Sequence, residues 1–350
     1  MIKKKYQEFL KNFFTLNPFG LNEKEKSNEF LKGINILNKY HSKNSKKYRE
    51  IINKLKPQNN KIENLAFLPV TIFKEIELHS IKKKEIDTIA VSSGTTGNNL
   101  SKIYLNKENS INQYRVLNKI LSEFLGNKKF DFFFLSEPPI KDNNEINAKS
   151  AGIFGFSSIA KSKTYGIKNN SIQKEKLDTF LKIKEKKILF GFTSDIWKFL
   201  IESDFKYKFN NTILIHGGGW KKLENKKISS VKFDKILKNK FKFSKIINYY
   251  GMIEQTGSIF LECHKCKNFI TSIYSDIIIR DENFNSIFNK PGLIQLISLL
   301  PISYPGHNIL TQDIGIINNK TCNDCSSKKG KRFKVLGRVI NSDVRGCSNI

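Results

Sequence analysis

This sequence of 350 residues lacks any run of the ~20 consecutive apolar residues that a membrane-spanning helix needs. Its first residues, Met1 to Tyr6, include three lysines but no apolar stretch of the signal-peptide type. The sequence also contains no internal repeat. These absences predict a cytoplasmic protein with no stable membrane insertion.

Acidic residues are scarce, since 32 Asp and Glu accompany 61 Lys and Arg and leave a net charge of +29. A nucleic-acid binder can carry such a charge. The lysines, however, are spread along the whole chain, and runs such as residues 82–84 are short and lie beside acidic residues. We therefore expect the lysines to solvate the surface, and we expect no nucleic-acid partner. The positive field would still attract anionic ATP and carboxylates.

Cysteine is also scarce, with five residues in the chain. In a cytoplasmic protein this number indicates metal ligands or a reactive thiol and argues against a disulfide framework. Four of the cysteines form two Cys-x-x-Cys pairs, and two such pairs can close a tetrahedral Zn²⁺ site. Residues 267–321 form a longer linker than usual, so the pairs would have to cap neighbouring hairpins; the alternative is four reduced thiols. The predicted ligands of a structural Zn²⁺ are Cys263, Cys266, Cys322 and Cys325.

Apolar periodicity divides the chain into four units. Residues 1–60 show helical spacing and are predicted to pack as a helical segment on the main domain. Residues 61–257 alternate strands with amphipathic helices, which predicts an α/β core, whereas strands crowd together in a β-rich lobe over residues 258–340. We expect the terminal residues 341–350 to be a mobile tail. A helix is predicted over 106–125, and strands over 86–91, 101–105, 130–135, 188–190, 212–215, 246–249, 259–261, 277–279, 293–300, 309–317 and 333–336.

The most specific motif is a run of six Ser, Gly and Thr residues between two predicted strands. Glycines permit the backbone angles that turn several N–H groups toward one anion, and hydroxyl groups add donors. The run is not a Walker A loop, because residues 98–100 read Asn-Asn-Leu and no Gly-Lys-Ser/Thr follows. A flexible hairpin turn is the alternative, but a turn needs only about two such residues. The predicted phosphate loop consists of Ser92, Ser93, Gly94, Thr95, Thr96 and Gly97.

This run resembles the phosphate loop of the adenylate-forming superfamily, which includes acyl-CoA ligases, firefly luciferase and peptide-synthetase adenylation domains. The resemblance implies an α/β fold, with an acyl-CoA synthetase/luciferase-like N-terminal domain and a β-rich lobe. It also implies ATP and Mg²⁺ as cofactors. A Lys or Arg usually follows the loop in this superfamily, and Lys102 is the nearest match here.

A second segment, residues 250–257, reads Tyr-Gly-Met-Ile-Glu-Gln-Thr-Gly and follows a predicted strand. It resembles the Tyr-Gly-x-x-Glu segment of the superfamily, whose aromatic residue packs by the adenine and whose Glu holds Mg²⁺. The resemblance implies that Tyr250 and Gly251 lie at the nucleotide and that Glu254 is the Mg²⁺ ligand. A carboxylate suits this role, because a hard cation needs oxygen ligands.

A glycine run at residues 217–219 follows His216 at the end of another predicted strand. In the superfamily a Gly-rich strand end at this place lines the adenine pocket. Glycines let a flat base approach the backbone, which would be the role of Gly217, Gly218 and Gly219. For His216, a site role and a packing role stay equally open.

Two single residues complete the implied nucleotide site. Residues 311–315, Thr-Gln-Asp-Ile-Gly, resemble the segment whose Asp accepts hydrogen bonds from both ribose hydroxyls. Asp313 would take this role, since its two oxygens can accept two donors. Arg338, in a Gly-Arg pair further along the chain, matches the Arg that contacts ribose or phosphate before the interdomain hinge.

The end of the sequence points to one branch of the superfamily. Typical members continue into a small C-terminal domain with a catalytic Lys, whereas this sequence ends at Ile350, shortly after Arg338. The usual small domain is therefore expected to be missing. The ending resembles the acyl-protein synthetase subunit of the bacterial fatty acid reductase complex, in which a Cys close to the C-terminus receives the acyl group. Cys347 is the match, and residues 68–75, 218–222 and 303–307 match as well.

The resemblance covers nearly the whole chain and implies a fatty acid substrate, its activation as acyl-AMP, and acyl transfer to Cys347. Arg345 would favour the Cys347 thiolate. An acyl-CoA reductase-like protein is the implied partner. Lys102 and Arg338 are the other implied catalytic residues. The alternative enzyme is an acyl-CoA ligase of the phenylacetate type, with CoA in place of Cys347, and Cys347 would then be an idle thiol.

Overall fold

The computed structural model describes residues 1–55, 60–92, 100–203, 205–219 and 228–339. Helix α2 (Glu23–Asn44) shows how the local sequence sets a helix start. The Asn22 side chain accepts from the Glu25 N–H, and the Glu25 carboxylate accepts from the Asn22 N–H. Among the described residues, no helix is long and apolar enough to cross a membrane. The α-helices of these residues are α1 (Ile2–Phe13), α2 (Glu23–Asn44), α3 (Lys46–Leu55), α4 (Ile72–Glu75), α5 (Lys107–Leu125), α6 (Ala148–Phe156), α7 (Lys174–Leu181), α8 (Thr193–Ile196) and α9 (Ser230–Phe241).

The strands are rich in Ile, Phe and Leu, which fit a pleated and buried surface. Most belong to one large sheet, and β2 (Thr88–Val91), β3 (Lys102–Leu105) and β5 (Glu145–Asn147) form a small second sheet. The strands of the described residues are β1 (Leu68–Pro69), β2 (Thr88–Val91), β3 (Lys102–Leu105), β4 (Phe130–Phe134), β5 (Glu145–Asn147), β6 (Ala160–Tyr165), β7 (Ile167–Lys168), β8 (Ser171–Ile172), β9 (Lys187–Phe192), β10 (Thr212–Gly217), β11 (Lys245–Gly251), β12 (Ile259–Glu262), β13 (Phe269–Ile270), β14 (Ser275–Arg280), β15 (Ser286–Ile287), β16 (Gly292–Ser298), β17 (Asn308–Ile317) and β18 (Arg332–Arg338).

One half of the large sheet is parallel. Its strands lie in the order β6-β4-β9-β10-β11, and every neighbouring pair among them is parallel. Helices lie between successive strands in the chain: α6 between β4 and β6, α7 between β6 and β9, α8 between β9 and β10, and α9 between β10 and β11. Parallel neighbours require such crossovers, so the carboxyl ends of these strands meet at one edge of the sheet.

Side chains of the parallel strands alternate between two apolar layers, as the period of a strand dictates. In β4, Phe132 and Phe134 pack in the layer that contains α1, α2, α5 and α6. Phe133, between them, packs in the layer of α7 and α9, with Phe180 and Phe241. Each buried Phe contributes about 1.5–3 kcal/mol relative to exposure, so covering both faces fixes the sheet at the centre of this half.

The other half of the large sheet is mostly antiparallel. From β11 the strand order continues β12-β13-β18-β17-β16-β14-β15, and β1 adds a parallel pair beside β17, for thirteen strands in all within the described residues. The predicted boundary at residue 257 falls in the turn between β11 and β12, where the pairing changes from parallel to antiparallel. The division into separate domains stays a prediction.

The N-terminal helices are attached to the antiparallel half by a buried ion cluster. The Lys26 ammonium of α2 lies 3.3 Å from the Asp276 carboxylate, which also lies 3.1 Å from the Lys331 ammonium. Burial raises the pKa of Asp276, but the two positive charges outweigh burial and hold this pKa below its usual value. Asp276 is therefore ionised, and the paired charges fix α2 against β14.

Candidate active site

The ends of β10 and β11 lie side by side at the carboxyl edge of the parallel strands, where ligands of α/β sheets commonly bind. Gly217 pairs with Tyr249 in the register of these strands. A Cβ at Gly217 would lie 2.4 Å from the Tyr249 ring and 2.6 Å from the Tyr249 carbonyl oxygen, so the site requires glycine. Gly218 has a φ of 75°, which favours glycine as well. The adenine-binding role of Gly217, Gly218 and Gly219 stays a prediction.

His216 is buried directly before these glycines. Its Nδ1 lies 3.1 Å from the Thr193 hydroxyl, and its ring meets the edge of Phe233 with centroids 5.4 Å apart. Burial, followed by the charge of Lys267, lowers the pKa of His216 to about 3. The imidazole is therefore neutral at physiological pH, and these contacts favour a packing role over a site role.

Tyr250 and Asp313, predicted from separate segments, touch in the structure. The Tyr250 hydroxyl donates to Asp313 Oδ2 at 2.7 Å, and both residues are 1% exposed. β18, β13 and β12 lie between β17 and β11 in the sheet order, so this contact requires the antiparallel half to curl. Burial, followed by the charge of Asp313, raises the pKa of Tyr250 well above its usual value, which keeps the hydroxyl protonated as a donor.

Arg338 lies on the strand beside Asp313. The two residues are direct partners in the antiparallel pairing of β17 and β18. The Arg338 guanidinium donates to the Gln312 side-chain oxygen at 2.6 Å, and the Val339 N–H donates to the Gln312 carbonyl at 3.0 Å. The structure thus brings three predicted site residues together, namely Tyr250, Asp313 and Arg338.

The segment after β11 is held in place by polar contacts. Glu254 is 3% exposed within it. The Gln255 amide donates to the carbonyl groups of Leu296, at 3.0 Å, and Gly306, at 2.8 Å. The Thr256 N–H donates to the Tyr304 hydroxyl at 2.9 Å. These buried bonds fix the backbone that carries Glu254, as a Mg²⁺ ligand would require; the Mg²⁺ role itself stays a prediction.

The segment of residues 303–307 therefore has a positioning role that the sequence did not reveal. The sequence indicated it only as a family feature, because Thr256 and Tyr304 are 48 positions apart and no local pattern links them. His307 in the same segment bonds the Asn38 side chain at 2.7 Å and stacks on His41 with centroids 4.9 Å apart. The segment thus connects helix α2 with the Glu254 loop, residues 252–258 between β11 and β12.

The base of the predicted phosphate loop is a hairpin. β2 and β3 pair antiparallel, and beyond their ends the Ser92 N–H donates to the Ser101 carbonyl at 3.1 Å. The Ser101 N–H donates in turn to the Ser92 hydroxyl at 3.0 Å. Ser93, Gly94, Thr95, Thr96 and Gly97 lie outside the described residues. The two strands that the sequence predicted on either side of the loop are therefore observed as an antiparallel pair.

Lys102 begins β3 on the far side of this loop. Its side chain is 51% exposed, and its ammonium lies 3.9 Å from the Glu145 carboxylate of β5. Lys102 pairs with Val91, the last residue of β2. This position leaves the lysine close to the loop base, and its catalytic role stays a prediction.

A largely apolar cavity of about 300 Å³ adjoins the Glu254 loop. Its wall includes Gly251 and residues 252, 253, 255 and 256 of that loop. Helices α5 and α6 form the opposite wall. The residues of these two helices that line the cavity include Tyr114, Leu117, Ala151, Gly155 and Phe156. A cavity of this size and lining suits an apolar ligand portion.

The cysteines fall into two groups. Cys263, Cys266, Cys322 and Cys325 converge, with their sulfur atoms all within 4.8 Å of one another. The fifth, Cys347, lies outside the described residues, as does Arg345. The predicted convergence of the two Cys-x-x-Cys pairs is therefore confirmed, whereas the acceptor role of Cys347 stays a prediction.

Comparison with known proteins decides the family. Residues 6–350 match the family described as acyl-protein synthetase, LuxE. The chain belongs to this family. The resemblance found in the sequence is thereby confirmed, and the protein is an ATP-dependent acyl ligase of the acyl-protein synthetase family.

Individual relatives are distant in sequence. The chain is 22% identical over 300 residues to the long-chain-fatty-acid–luciferin-component ligase of Aliivibrio fischeri, with 82% of this chain and 78% of the relative covered. It is similar to 2-hydroxyisobutyryl-CoA ligase bound to 2-HIB-AMP, with a TM-score of 0.73, 11% identity, and 92% of this chain and 70% of the other covered. ATP-bound MatB from Rhodopseudomonas palustris gives a TM-score of 0.51 and 14% identity, over 74% of this chain and 49% of the other. The predicted adenylate-forming fold is confirmed.

Proposed function

We propose that this acyl-protein synthetase activates a fatty acid as acyl-AMP and then transfers the acyl group to its own Cys347. The observation that carries the proposal is the grouping of Tyr250, Asp313 and Arg338 near the carboxyl edge of the parallel strands. The Glu254 loop and the apolar cavity adjoin this edge. The arrangement provides a polar site for a nucleotide beside an apolar site for an acyl chain.

ATP would bind across the polar residues. Asp313, which accepts from the Tyr250 hydroxyl, would also accept from the ribose hydroxyls, since a carboxylate can accept several donors. Arg338 would contact ribose or phosphate. The backbone N–H groups of residues 93–97 and the Lys102 ammonium would surround the phosphates. In this assignment the carboxylate accepts from hydroxyl groups, and the positive and N–H groups face the phosphates.

Glu254 fits a Mg²⁺ ligand, because it is a carboxylate on a backbone fixed by Gln255 and Thr256. When bound, Mg²⁺ would supply neutralisation of phosphate charge. Glu254 would thus orient the nucleotide indirectly, by holding the ion beside the phosphates.

The first half-reaction is acyl adenylation. A carboxylate oxygen of the fatty acid attacks the α-phosphorus of ATP, a new P–O bond forms, and the bond to the bridging oxygen breaks to release pyrophosphate. A carboxylate is a weak nucleophile, so catalysis rests on positioning and on stabilising phosphate charge. Lys102, Arg338 and residues 93–97 would provide that stabilisation.

The second half-reaction is thioester formation. The Cys347 thiolate attacks the acyl carbonyl carbon, a C–S bond forms, and the C–O bond to AMP breaks. Arg345, two positions away in the sequence, would favour the thiolate. The thioester would then be passed to an acyl-CoA reductase-like partner. The Aliivibrio fischeri relative is named as a ligase of a long-chain fatty acid, and we propose the same substrate class here.

The acyl chain would occupy the cavity between α5, α6 and the Glu254 loop. Small side chains on α6 keep this space open: Ala151 lines it, and a Cβ at Gly155 would lie 3.1 Å from Leu117. Tyr114 and Phe156 add apolar surface. A larger side chain at residue 151 would shorten the space for methylene groups.

Substitution of Ala151 by Phe tests the function and the pocket together. Wild-type protein with ATP is expected to form AMP only when a fatty acid is present. The Ala151→Phe variant should form AMP at least ~10-fold less efficiently with a long-chain acid, because each methylene excluded from the pocket forfeits about 0.8 kcal/mol. Chromatography of the nucleotides measures the rates.

A short-chain acid is the internal control for this variant, since its chain ends before residue 151. Its rate of AMP formation should change little, which also shows that the variant is folded. An equal loss with both acids would contradict the pocket. Formation of ADP instead of AMP by wild-type protein would contradict the proposed function as a whole.

A further inference from the structure

We infer that the four converging cysteines bind one Zn²⁺ ion as a structural clamp between two hairpins of the antiparallel half. Cys263 and Cys266 lie in the turn between β12 and β13, and Cys322 and Cys325 lie between β17 and β18. The inference is independent of the acyl-transfer function, because the ion has no part in that chemistry.

The distances between the sulfur atoms match a tetrahedron around zinc. Cys263 to Cys322, Cys266 to Cys325 and Cys322 to Cys325 are each separated by 3.6 Å. Zinc–sulfur bonds of about 2.3 Å place neighbouring sulfurs of a tetrahedron about 3.8 Å apart. A disulfide requires about 2.0 Å, and these four cysteines are free thiols in the structure.

Both Cys-x-x-Cys segments are tight turns that present two sulfurs to one point. In the first, the Lys267 N–H donates to the Cys263 carbonyl and the Cys263 N–H donates to the Asn268 carbonyl, both at 2.9 Å. In the second, the Cys325 N–H donates to the Cys322 carbonyl at 3.0 Å. Such turns set the sulfur positions before a metal binds, which lowers the entropy lost on binding.

Contacts around the sulfurs hold the two turns together. The His264 ring, inside the first turn, lies 3.3 Å from the Asp324 carboxylate, inside the second. The Arg332 guanidinium donates to the carbonyl groups of Cys325 and Lys328, each at 2.7 Å. A Zn²⁺ ion with four thiolates carries a net negative charge, and Arg332 lies where it would partly balance that charge.

The clamp lies at the opposite end of the strands from the candidate nucleotide site. β12 runs antiparallel to β11, with Ile259 opposite Gly251 and Leu261 opposite Tyr249. Cys263 follows β12 and therefore lies toward the start of β11, whereas the Glu254 loop follows its end. Four sulfur ligands also leave no open position for a substrate, as is typical of structural zinc.

The second hairpin also places the clamp at the end of the strands that lies opposite the candidate nucleotide site. Arg338, at the end of β18, is opposite Asp313, whereas Arg332, at its start, is opposite Ile270 of β13. The Cys322–Cys325 turn precedes this start. Nearby, the Lys329 N–H donates to the Phe19 carbonyl at 2.9 Å, so the same region supports the N-terminal segment. The clamp would thus stabilise the packing of residues 1–60 as well as the sheet.

Elemental analysis of the full-length purified protein tests the inference. About one zinc per chain is expected. The four thiols should react only slowly with a thiol reagent until the metal is removed. Growth with cobalt should give a protein with the absorption bands of tetrahedral cobalt–thiolate. Wild-type protein that holds no metal and keeps its full thermal stability would overturn the inference, and so would iron in place of zinc.

Substitutions of single cysteines test which residues bind the ion. Cys322→Ser and Cys325→Ser should each lose most of the zinc and lower the melting temperature. Cys347→Ser is the matched control, because it removes a thiol outside the cluster, and it should keep about one zinc per chain. Full zinc content in Cys322→Ser would overturn the assignment. If a cluster variant fails to fold, the wild-type metal content and cobalt spectrum still decide the question, independently of acyl transfer.

Discussion

Replacement of Asp313 by Ala is expected to reduce fatty-acid-dependent ATP–pyrophosphate exchange by at least ~10²-fold, the order observed when a transition-state contact is lost. Asp313 is proposed to hold the ribose, and through it to align the α-phosphorus with the attacking carboxylate. Glu254→Ala should give a loss of the same order, because the phosphate charge would no longer be balanced. Incorporation of labelled pyrophosphate into ATP measures both variants.

Two controls separate this loss from unfolding. Asp178→Ala changes an exposed carboxylate of α7 and should leave exchange and melting temperature unchanged. Tyr250→Phe removes only the hydrogen bond that orients Asp313, so its loss should be smaller than that of Asp313→Ala. Unchanged exchange in both Asp313→Ala and Glu254→Ala would remove the assignment of this site to adenylation.

Replacement of Cys347 by Ser is expected to abolish acylation of the protein while leaving ATP–pyrophosphate exchange largely intact. Labelled fatty acid and ATP should leave label on the wild-type protein, and neutral hydroxylamine should release it, as expected of a thioester. In the proposed mechanism adenylation needs Glu254 and Asp313, whereas Cys347 acts only in the second half-reaction. Near neutral pH a Ser hydroxyl lacks the few per cent of anion that a free thiol has.

The matched control for this variant is Ser348→Ala, which changes the neighbouring position and should keep full labelling. Labelling that persists in Cys347→Ser would move the acceptor to another residue. Absence of labelling in the wild type, with rapid product formation once CoA is added, would favour the phenylacetate-type acyl-CoA ligase instead.

Local features of the fold were predictable from the sequence, because they depend on neighbouring residues. The helix predicted over 106–125 is observed as α5 (Lys107–Leu125), and the strand predicted over 130–135 as β4 (Phe130–Phe134). Their apolar periods of about 3.6 and 2 residues are set by which face is buried. The two strands predicted on either side of the phosphate loop are likewise observed, as β2 (Thr88–Val91) and β3 (Lys102–Leu105).

The cysteine cluster depends on long-range strand pairing as well as on local spacing. Spacing indicated two chelating pairs, but their convergence depends on strand pairing across residues 267–321. That pairing is β13 with β18, Phe269 opposite Phe333, and it brings the two turns together. The sequence predicted the outcome only because tetrahedral zinc demands four ligands.

Other parts of the site could not be predicted because they depend on distant pairing alone. The Tyr250–Asp313 bond joins residues 63 positions apart and needs the curl of the sheet. The support that Tyr304 gives to Thr256 has the same origin. The pairing of β11 with β12, which joins the parallel and antiparallel halves of the sheet, also lies beyond what local pattern specifies. Periodicity specifies which face of a strand is buried but not which strand lies beside it.

Fatty-acid-dependent ATP–pyrophosphate exchange by the wild-type protein tests the central claim most directly, because exchange occurs only when acyl-AMP forms reversibly. With ATP, Mg²⁺ and a long-chain fatty acid, labelled pyrophosphate is expected to enter ATP, and omission of the fatty acid should abolish the exchange. Exchange that is absent with every fatty acid tested, or that proceeds equally without one, would contradict acyl adenylation by this protein.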